Sequence, residues 1–487
     1  MSLVWKERFK FLILILLIMT SLMQVGILWN YQDYSFPTDI LSAFFLAKSQ
    51  KNLSEDYEEL IRGKYFVPDR VILSEGYDNP RWIVEQQSKD YEKLWEEARY
   101  YLGIALQSEP VQQLGVDQWG KLMANRSVIF EFKSNLNKNI LSWFLDKPEA
   151  ASSSASGVYK MIILPEENLN YNMNTIYIRD DSRIYKYTIQ YPENLMSRTD
   201  YSELFKHYEN DDKAIQYALL REKYNISSIS QDVLGVMKGP GYGRYSSVIC
   251  DLPEELKTSE IYDSRDVDKI ADAVLGAEKY GYERSWDSEN TVEFKTHNNI
   301  YRLFKDGFLD YRYLSGASGS DKGSIGEAFM QAAMFLEQIE PISANPNITL
   351  CLSQIEETST FYRFYFDYEV GGLPVVIDYH PNRPEGVRME NAFVIEANGK
   401  NVLKGYGIVR NFEKSNESEL YNIMFVDLIN DAYKVHGFSE FGNIADIRIN
   451  DIYIAYKVEY GIESKKLKPV WIINTPEKSY TIPMREK

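Results

Sequence analysis

Cysteine and histidine are scarce in this sequence. Its 487 residues include two Cys and four His. Cys250 and Cys351 cannot build a disulfide-dense scaffold or a cysteine zinc site. Standing 101 residues apart, they either close one long disulfide loop or remain as small buried thiols. His207, His297, His380 and His436 form no H-E-x-x-H or H-x-H pair, which excludes a zincin-type motif. There is no G-x-S-x-G elbow and no phosphate-binding P-loop. The Gly-rich stretch 239–243 (GPGYG) reads as a loop. Cations are also in deficit, with 54 Lys+Arg against 71 Asp+Glu and a net charge of −17. That deficit argues against nucleic acid as a partner, because phosphate binding rests on clustered Lys and Arg. Apolar residues are not lacking. The chain is 44% hydrophobic and 14% aromatic, enough for real cores, and its length predicts about three domains.

One stretch lacks charge altogether. Residues 11–32 (FLILILLIMTSLMQVGILWNYQ) hold 22 uncharged positions, where about 20 suffice to cross a bilayer as a helix. Lys6, Arg8 and Lys10 precede it, and basic flanks stay on the cytoplasmic side. Trp29 and Tyr31 stand at its end and Tyr34 just after it, where an outer aromatic belt would lie. A cleaved signal peptide is the rival reading, but the segment is long and ends without a small-x-small site. The expectation is a short cytoplasmic segment over 1–10, an uncleaved single-pass anchor over 11–32, and the bulk of the chain outside the cytoplasm. The charge then divides into +2 over residues 1–32 and −19 over the rest. Thr20, Ser21, Gln24 and Gly26 supply the small and polar positions of a helix–helix contact face, with hydration of Gln24 at the interface as the alternative.

Beyond the anchor the pattern is α+β, with helices and antiparallel meanders segregated. Apolar steps of three and four predict helices over 90–106, after Ser324, over about 418–436 and over about 266–276. Ser324 and Glu327 have capping-box spacing. Strand patterns fall at 176–178 and 184–187, at 291–295, 300–304 and 308–313, then at 361–370, 374–379, 392–397 and 402–409, and finally over 447–460 and 467–474. Asn398-Gly399 reads as a two-residue hairpin turn. The small-residue stretches 150–157 and 315–323 read as connections, the first equally as a loop inside a domain. The expected domains are 33–195, 196–318 and 319–487.

Acid pairs at Asp180/Asp181, Asp211/Asp212 and Glu356/Glu357, and the trio Asp263, Asp266 and Asp268, read as solvated faces. The trio lacks the Gly and terminal Glu of an EF-hand loop. The aromatic run at 361–366 is either amphipathic strand packing or a Tyr-rich binding face. No catalytic, cofactor-binding or metal-binding residue is singled out.

This layout resembles the YycH (WalH) family. The resemblance rests on a basic segment and a single membrane helix ending Leu28-Trp29-Asn30-Tyr31, followed by a large α+β body. It rests further on residues 361–375 (FYRFYFDYEVGGLPV), 452–456 (IYIAY) and 467–473 (LKPVWII), and more weakly on 301–308 (YRLFKDGF). It implies a three-domain exported protein without catalytic residues or cofactors, whose last two domains share a fold with YycI. The implied partners are a sensor histidine kinase of the YycG/WalK type and a YycI-like bitopic protein, in control of cell-wall metabolism in Gram-positive bacteria. An exported cell-wall hydrolase, or a module binding a wall polymer or ligand, is the alternative.

Overall fold

Apolar residues alternating with polar ones make strands the commonest element among the described residues. The computed structural model describes residues 57–86, 88–165, 173–190, 199–238, 241–253, 271, 274–275, 282–286, 291–304, 306–314, 322–343, 348–377, 391–441, 446–459 and 464–487. The segment 11–32 lies outside them, and with it Thr20, Ser21, Gln24 and Gly26. Among the described residues no helix is long and apolar enough to cross a membrane. The chain divides into Met1–Ile61, of which only the helical residues 57–61 are described, and Arg62–Lys487.

The architecture of the second unit is α+β, with three largely antiparallel sheets among the described residues. The first contains β1 (Arg70–Glu75), β2 (Arg81–Val84), β3 (Gln112–Gly115), β4 (Arg126–Asn137), β5 (Gly157–Leu164), β6 (Met173–Arg179), β7 (Arg183–Gln190), β8 (Gln216–Leu219) and β9 (Leu234–Lys238), in the order β3-β7-β6-β5-β4-β1-β2-β8-β9. A small sheet holds β10 (Tyr242–Asp251) between β20 (Asn411–Asn422) and β22 (Ser464–Leu467). The third contains β11 (Glu283–Trp286), β12 (Thr291–Lys295), β13 (Asn299–Phe304), β14 (Phe308–Tyr313), β15 (Ile348–Glu357), β16 (Tyr362–Val370), β17 (Leu373–Ile377), β18 (Phe393–Ala397), β19 (Val402–Ile408), β21 (Asp451–Val458), β23 (Pro469–Asn474) and β24 (Ser479–Pro483). Within it β14 pairs β19, from Phe308↔Ile408 to Arg312↔Lys404. β17 runs parallel to β21.

Helix α1 (Lys89–Leu106) forms where the periodicity predicts it. Ser88 caps it by accepting from the Tyr91 N–H at 3.2 Å, and the stripe Tyr91, Leu94, Trp95, Ala98, Tyr101, Leu102 and Ala105 is buried. Trp95 lies edge-on to Phe66 and Phe132, over the first sheet. Each such large side chain contributes about 1.5–3 kcal/mol by leaving water. α2 (Lys138–Phe144) is capped by the Asn137 carboxamide. α3 (Ile325–Ser343) opens on the expected capping box, with Ser324 Oγ accepting from the Glu327 N–H and Glu327 Oε2 accepting from the Ser324 N–H. The Gly371-Gly372 turn between β16 and β17 has positive φ at both residues, 57° and 80°, which glycine alone adopts without strain.

Two expectations change, for the helix over about 418–436 and the turn at 398–399, and two open readings are decided. The helix expected over about 418–436 starts only at Phe425, as α4 (Phe425–Phe441). Its first residues lie instead in β20, where pairing with β10 overrides local helix preference. The stretch 150–157 packs against α1 and α2 beside the first sheet, with Ala150 and Ala155 fully buried, because its small side chains fit where larger ones could not. The turn at 398–401 is shaped by the Asn398 carboxamide, which accepts from the Lys400 and Asn401 N–H groups. Gly399 is set there by the backbone of Gly323, since a Cβ on it would meet Gly323 Cα at 3.0 Å. Finally, Tyr362, Phe364, Tyr365, Phe366 and Tyr368 are all buried, so the aromatic run belongs to core packing and not to a binding face.

Candidate functional site

Strand β4 carries charge into the interior of the molecule. The run Val128-Ile129-Phe130-Glu131-Phe132-Lys133 sets two ionisable residues among apolar ones. Phe130 and Phe132 point to the aromatic layer around Phe66 and Trp95. Glu131 and Lys133 each meet a cluster of charged groups, and both clusters reach residues of the third sheet.

Around Glu131 the charges form a row across the first sheet. Arg70 of β1 and Lys160 of β5 are its cross-strand neighbours, and Arg179 of β6 is the neighbour of Lys160. Such directly opposed pairs are the natural unit of sheet stabilisation. Glu131 accepts from Lys160 Nζ at 2.6 Å and pairs with Arg70 at 2.8 Å. Asp232 adds a second contact to Lys160 at 2.5 Å and one to Arg179 at 3.8 Å. Asp451, at the start of β21, reaches Arg70 at 3.8 Å. Burial alone would raise the Glu131 and Asp232 carboxyls. Lys160 outweighs it for both, with help from Arg70 and Arg179 respectively, and holds them below the ordinary range. Burial raises the Asp451 carboxyl, but its side chain is 36% exposed at the rim, where water screens it. Three cations therefore face three carboxylates.

The second cluster, around Lys133, is not balanced. Lys133 Nζ lies 3.8 Å from Asp69 and 3.9 Å from Asp367, and makes no hydrogen bond. Glu369 of β16 completes a trio of carboxylates, its Oε2 accepting from the Cys351 thiol at 3.4 Å. Asn391 donates to Asp367 Oδ1 at 2.6 Å and to Ser353 Oγ at 3.0 Å. The ladder between β15 and β16 shifts register between Leu352 and Gln354, a bulge beside the cluster. Burial raises the Asp367 and Glu369 carboxyls, and Lys133 only partly opposes it. Burial also raises the Cys351 thiol. Tyr65, Asp69, Lys133, Cys351 and Glu369 help line a cavity of about 20 Å³, room for about one water.

Beside this polar cluster the same seam is aromatic. Phe329 of α3 touches Tyr65, Trp143 and Phe144 from one side and Phe364 from the other, at centroid distances of 5.3–5.6 Å. Gly326 permits this approach, because a Cβ there would stand 2.3 Å from the Trp143 ring.

Neither cluster is among the residues expected from the sequence. Of the acid pairs, Asp211 and Asp212 are exposed as expected. Glu356 and Glu357 pair with Arg363 and Lys322. Asp180 is fully buried, contrary to the solvated reading, because its carboxylate accepts from Ser156, from the Ser182 and Arg183 N–H groups and from Tyr185. The trio 263–268 and His380 lie outside the described residues. His207 stands on the helix Tyr201–Asn210, His297 is exposed in a turn, and His436 lies on α4. Among the described residues no group of His, Cys, Asp and Glu is arranged to hold a metal ion. Cys250 and Cys351 are both free thiols. A single charge flanked by apolar residues on both sides, as at Glu131 and Lys160, was the available signal for the buried clusters.

No family model matches the chain, and no curated protein matches it. Among solved structures it is similar to YycH from Bacillus subtilis, at 14% identity and a TM-score of 0.49, over 86% of this chain and 96% of that one. It is also similar to an uncharacterized protein from Eubacterium rectale ATCC 33656, at 16% identity and a TM-score of 0.30, over 53% of this chain and 87% of that one. Likenesses at these scores carry no functional argument, and the chemistry of the two clusters rests on their own geometry.

Proposed function

We propose that this protein is a membrane-anchored, extracytoplasmic accessory subunit that regulates a sensor histidine kinase of the YycG/WalK type, with a YycI-like bitopic protein as its second partner. The observation that carries the reading is the uncharged segment 11–32 behind Lys6, Arg8 and Lys10, joined to a body of net charge −19. The resemblance of residues 361–375 and 467–473 to the YycH family supports it. In the structure these residues are strands and a glycine turn, the kind of feature that preserves a shape for contact. The cavity at the seam, at about 20 Å³, is far smaller than the several hundred Å³ of a small-molecule site.

On this reading the anchor biases the kinase between two arrangements by contacting one better than the other. A coupling of about 1–3 kcal/mol changes output by roughly 5–150-fold. Thr20, Ser21, Gln24 and Gly26 form the contact face. The test is disulfide crosslinking in membranes, with single cysteines at each position from 18 to 28 of a C250S/C351S chain and partner cysteines in the kinase helix. Crosslinking should peak every three to four positions, on the face that Thr20 and Gln24 share. A flat profile sinks the helix contact. Turnover of peptidoglycan by the purified chain, abolished by one carboxylate substitution, would replace the reading with the hydrolase.

A further inference from the structure

The cluster around Lys133 joins separate parts of the fold and holds more negative than positive groups. Asp69 stands just before β1 and Lys133 on β4, while Cys351, Asp367 and Glu369 stand on the β15–β16 hairpin. Tyr91 of α1 faces the same space and donates to the Pro68 carbonyl at 2.5 Å. Gln86, after β2, donates to the Asp69 carbonyl, and Asn391, before β18, donates to Asp367. Tyr65 and Ser134 border the same cavity, and Ser353 of β15 stands beside Asp367. One ammonium faces three carboxylates, and it approaches two of them only at 3.8 and 3.9 Å. Like charges gathered out of water repel, and one proton relieves the repulsion without moving a heavy atom.

We propose that this cluster makes the contact between the β15–β16 hairpin and strand β4 proton-dependent, tight when a carboxyl takes up a proton and loosened when the proton leaves. The proton adds to Asp367 or Glu369, and no other bond forms or breaks. The neutral carboxyl gains an O–H donor, and the trio loses one negative charge. Both groups are raised in the folded state, by burial first. A raised group contributes stability that is complete below its unfolded value and is lost as pH rises through its folded value. Acid therefore closes this contact, whereas acid opens a contact built on matched ion pairs. Where the body lies outside the cytoplasm, which rests on the proposed topology, the pH it answers to is that of the surrounding medium. The proton dependence itself needs neither the topology nor the kinase.

Hydrogen–deuterium exchange of the purified full chain in detergent tests it, with rates corrected for the intrinsic pH dependence of exchange. Protection over 348–357 should fall severalfold as pH rises from about 5 to about 8. Protection over 70–75, inside the first sheet, should not fall. In a D367N/E369Q chain protection over 348–357 should stay at its acid level throughout. If that chain does not fold, E369Q alone should reduce the fall by at least half. Constant protection in the unsubstituted chain, or an unchanged fall in the folded variant, overturns the proposal. Crosslinking of the anchor is a separate measurement, so its failure leaves this result standing.

Discussion

Glu131 and Lys133 stand two residues apart on β4, and their surroundings differ in how charge is matched. Around Glu131, Arg70, Lys160 and Arg179 face Glu131, Asp232 and Asp451, with contacts as short as 2.5 Å. Around Lys133, one cation faces Asp69, Asp367 and Glu369, and its own pairs are no closer than 3.8 Å. A buried charge is tolerated when its partner is close and hydrogen-bonded, and costs several kcal/mol when it is not. The first cluster meets that condition at Glu131 and Asp232 and holds those two ionised. The second does not, so Asp367 and Glu369 drift towards the neutral form. Neighbouring positions on one strand thus give two seams with opposite responses to acid.

The sharpest way to break the comparison is to unmatch the matched cluster. Lys160→Met removes the cation shared by Glu131 and Asp232 and leaves both buried. We expect a loss of about 3–5 kcal/mol, read from denaturant unfolding of the full chain in detergent by tryptophan fluorescence. A loss under about 1 kcal/mol would mean that water or protons already relieve these carboxylates, and the two clusters would then be alike.

Next comes Glu131→Gln, expected to cost about 1.5–3 kcal/mol near neutral pH, the range for hydrogen bonds to charged groups. Glu131 is lowered in the folded state. Its stabilisation is therefore complete above the ordinary carboxylate pKa of about 4 and disappears as pH falls through the folded value. The gap between the variant and the unsubstituted chain should close in acid. A gap that widens there would contradict the ion-pair account. A smaller effect follows from Lys133→Met, about 1–2 kcal/mol near neutral pH. Its cation makes no hydrogen bond, and Asp69 and Asp367 keep 33% and 20% of their side chains exposed. This cost should shrink as pH falls and Asp367 and Glu369, both raised in the folded state, take up protons. A pH-independent cost would mean that Lys133 acts through its packed stem instead.

How far the sequence discloses these features depends on whether they are local. The stripe of α1, the capping box at Ser324 and Glu327, and the meander at 291–313 are patterns of a few residues, and each is legible. Residues 418–422 are misleading because Glu and Leu suit a helix, while the partner strand β10 lies more than 170 residues away in sequence. The clusters are less legible still. Nothing near Glu131 announces Asp451, and nothing near Lys133 announces Glu369, because the sheets bring them together. A lone charge between apolar neighbours marks a position that needs a partner, without saying which one. The aromatic run at 361–366 shows the converse. Its composition suits an interface, and only the burial of Phe364 and Phe366 beneath Phe329 decides for the core.

The smallest effect tests the second cluster most finely. Cys351 donates to Glu369 through a thiol, a weak donor, at 3.4 Å. Cys351→Ser replaces it with a hydroxyl, which hydrogen-bonds a carboxylate more strongly. Glu369 is then better held in its ionised form, and the pH at which exchange protection over 348–357 is lost should move down. Cys351→Ala removes the donor, Glu369 keeps its proton to higher pH, and the same midpoint should move up. Either change should alter global stability by less than about 1 kcal/mol, because one weak hydrogen bond is at stake. The opposite directions matter more than the sizes. A purely structural role for Cys351 would weaken both variants alike and leave the midpoint in place. Shifts of opposite sign from one atom's exchange can arise only if the Glu369 proton controls the contact.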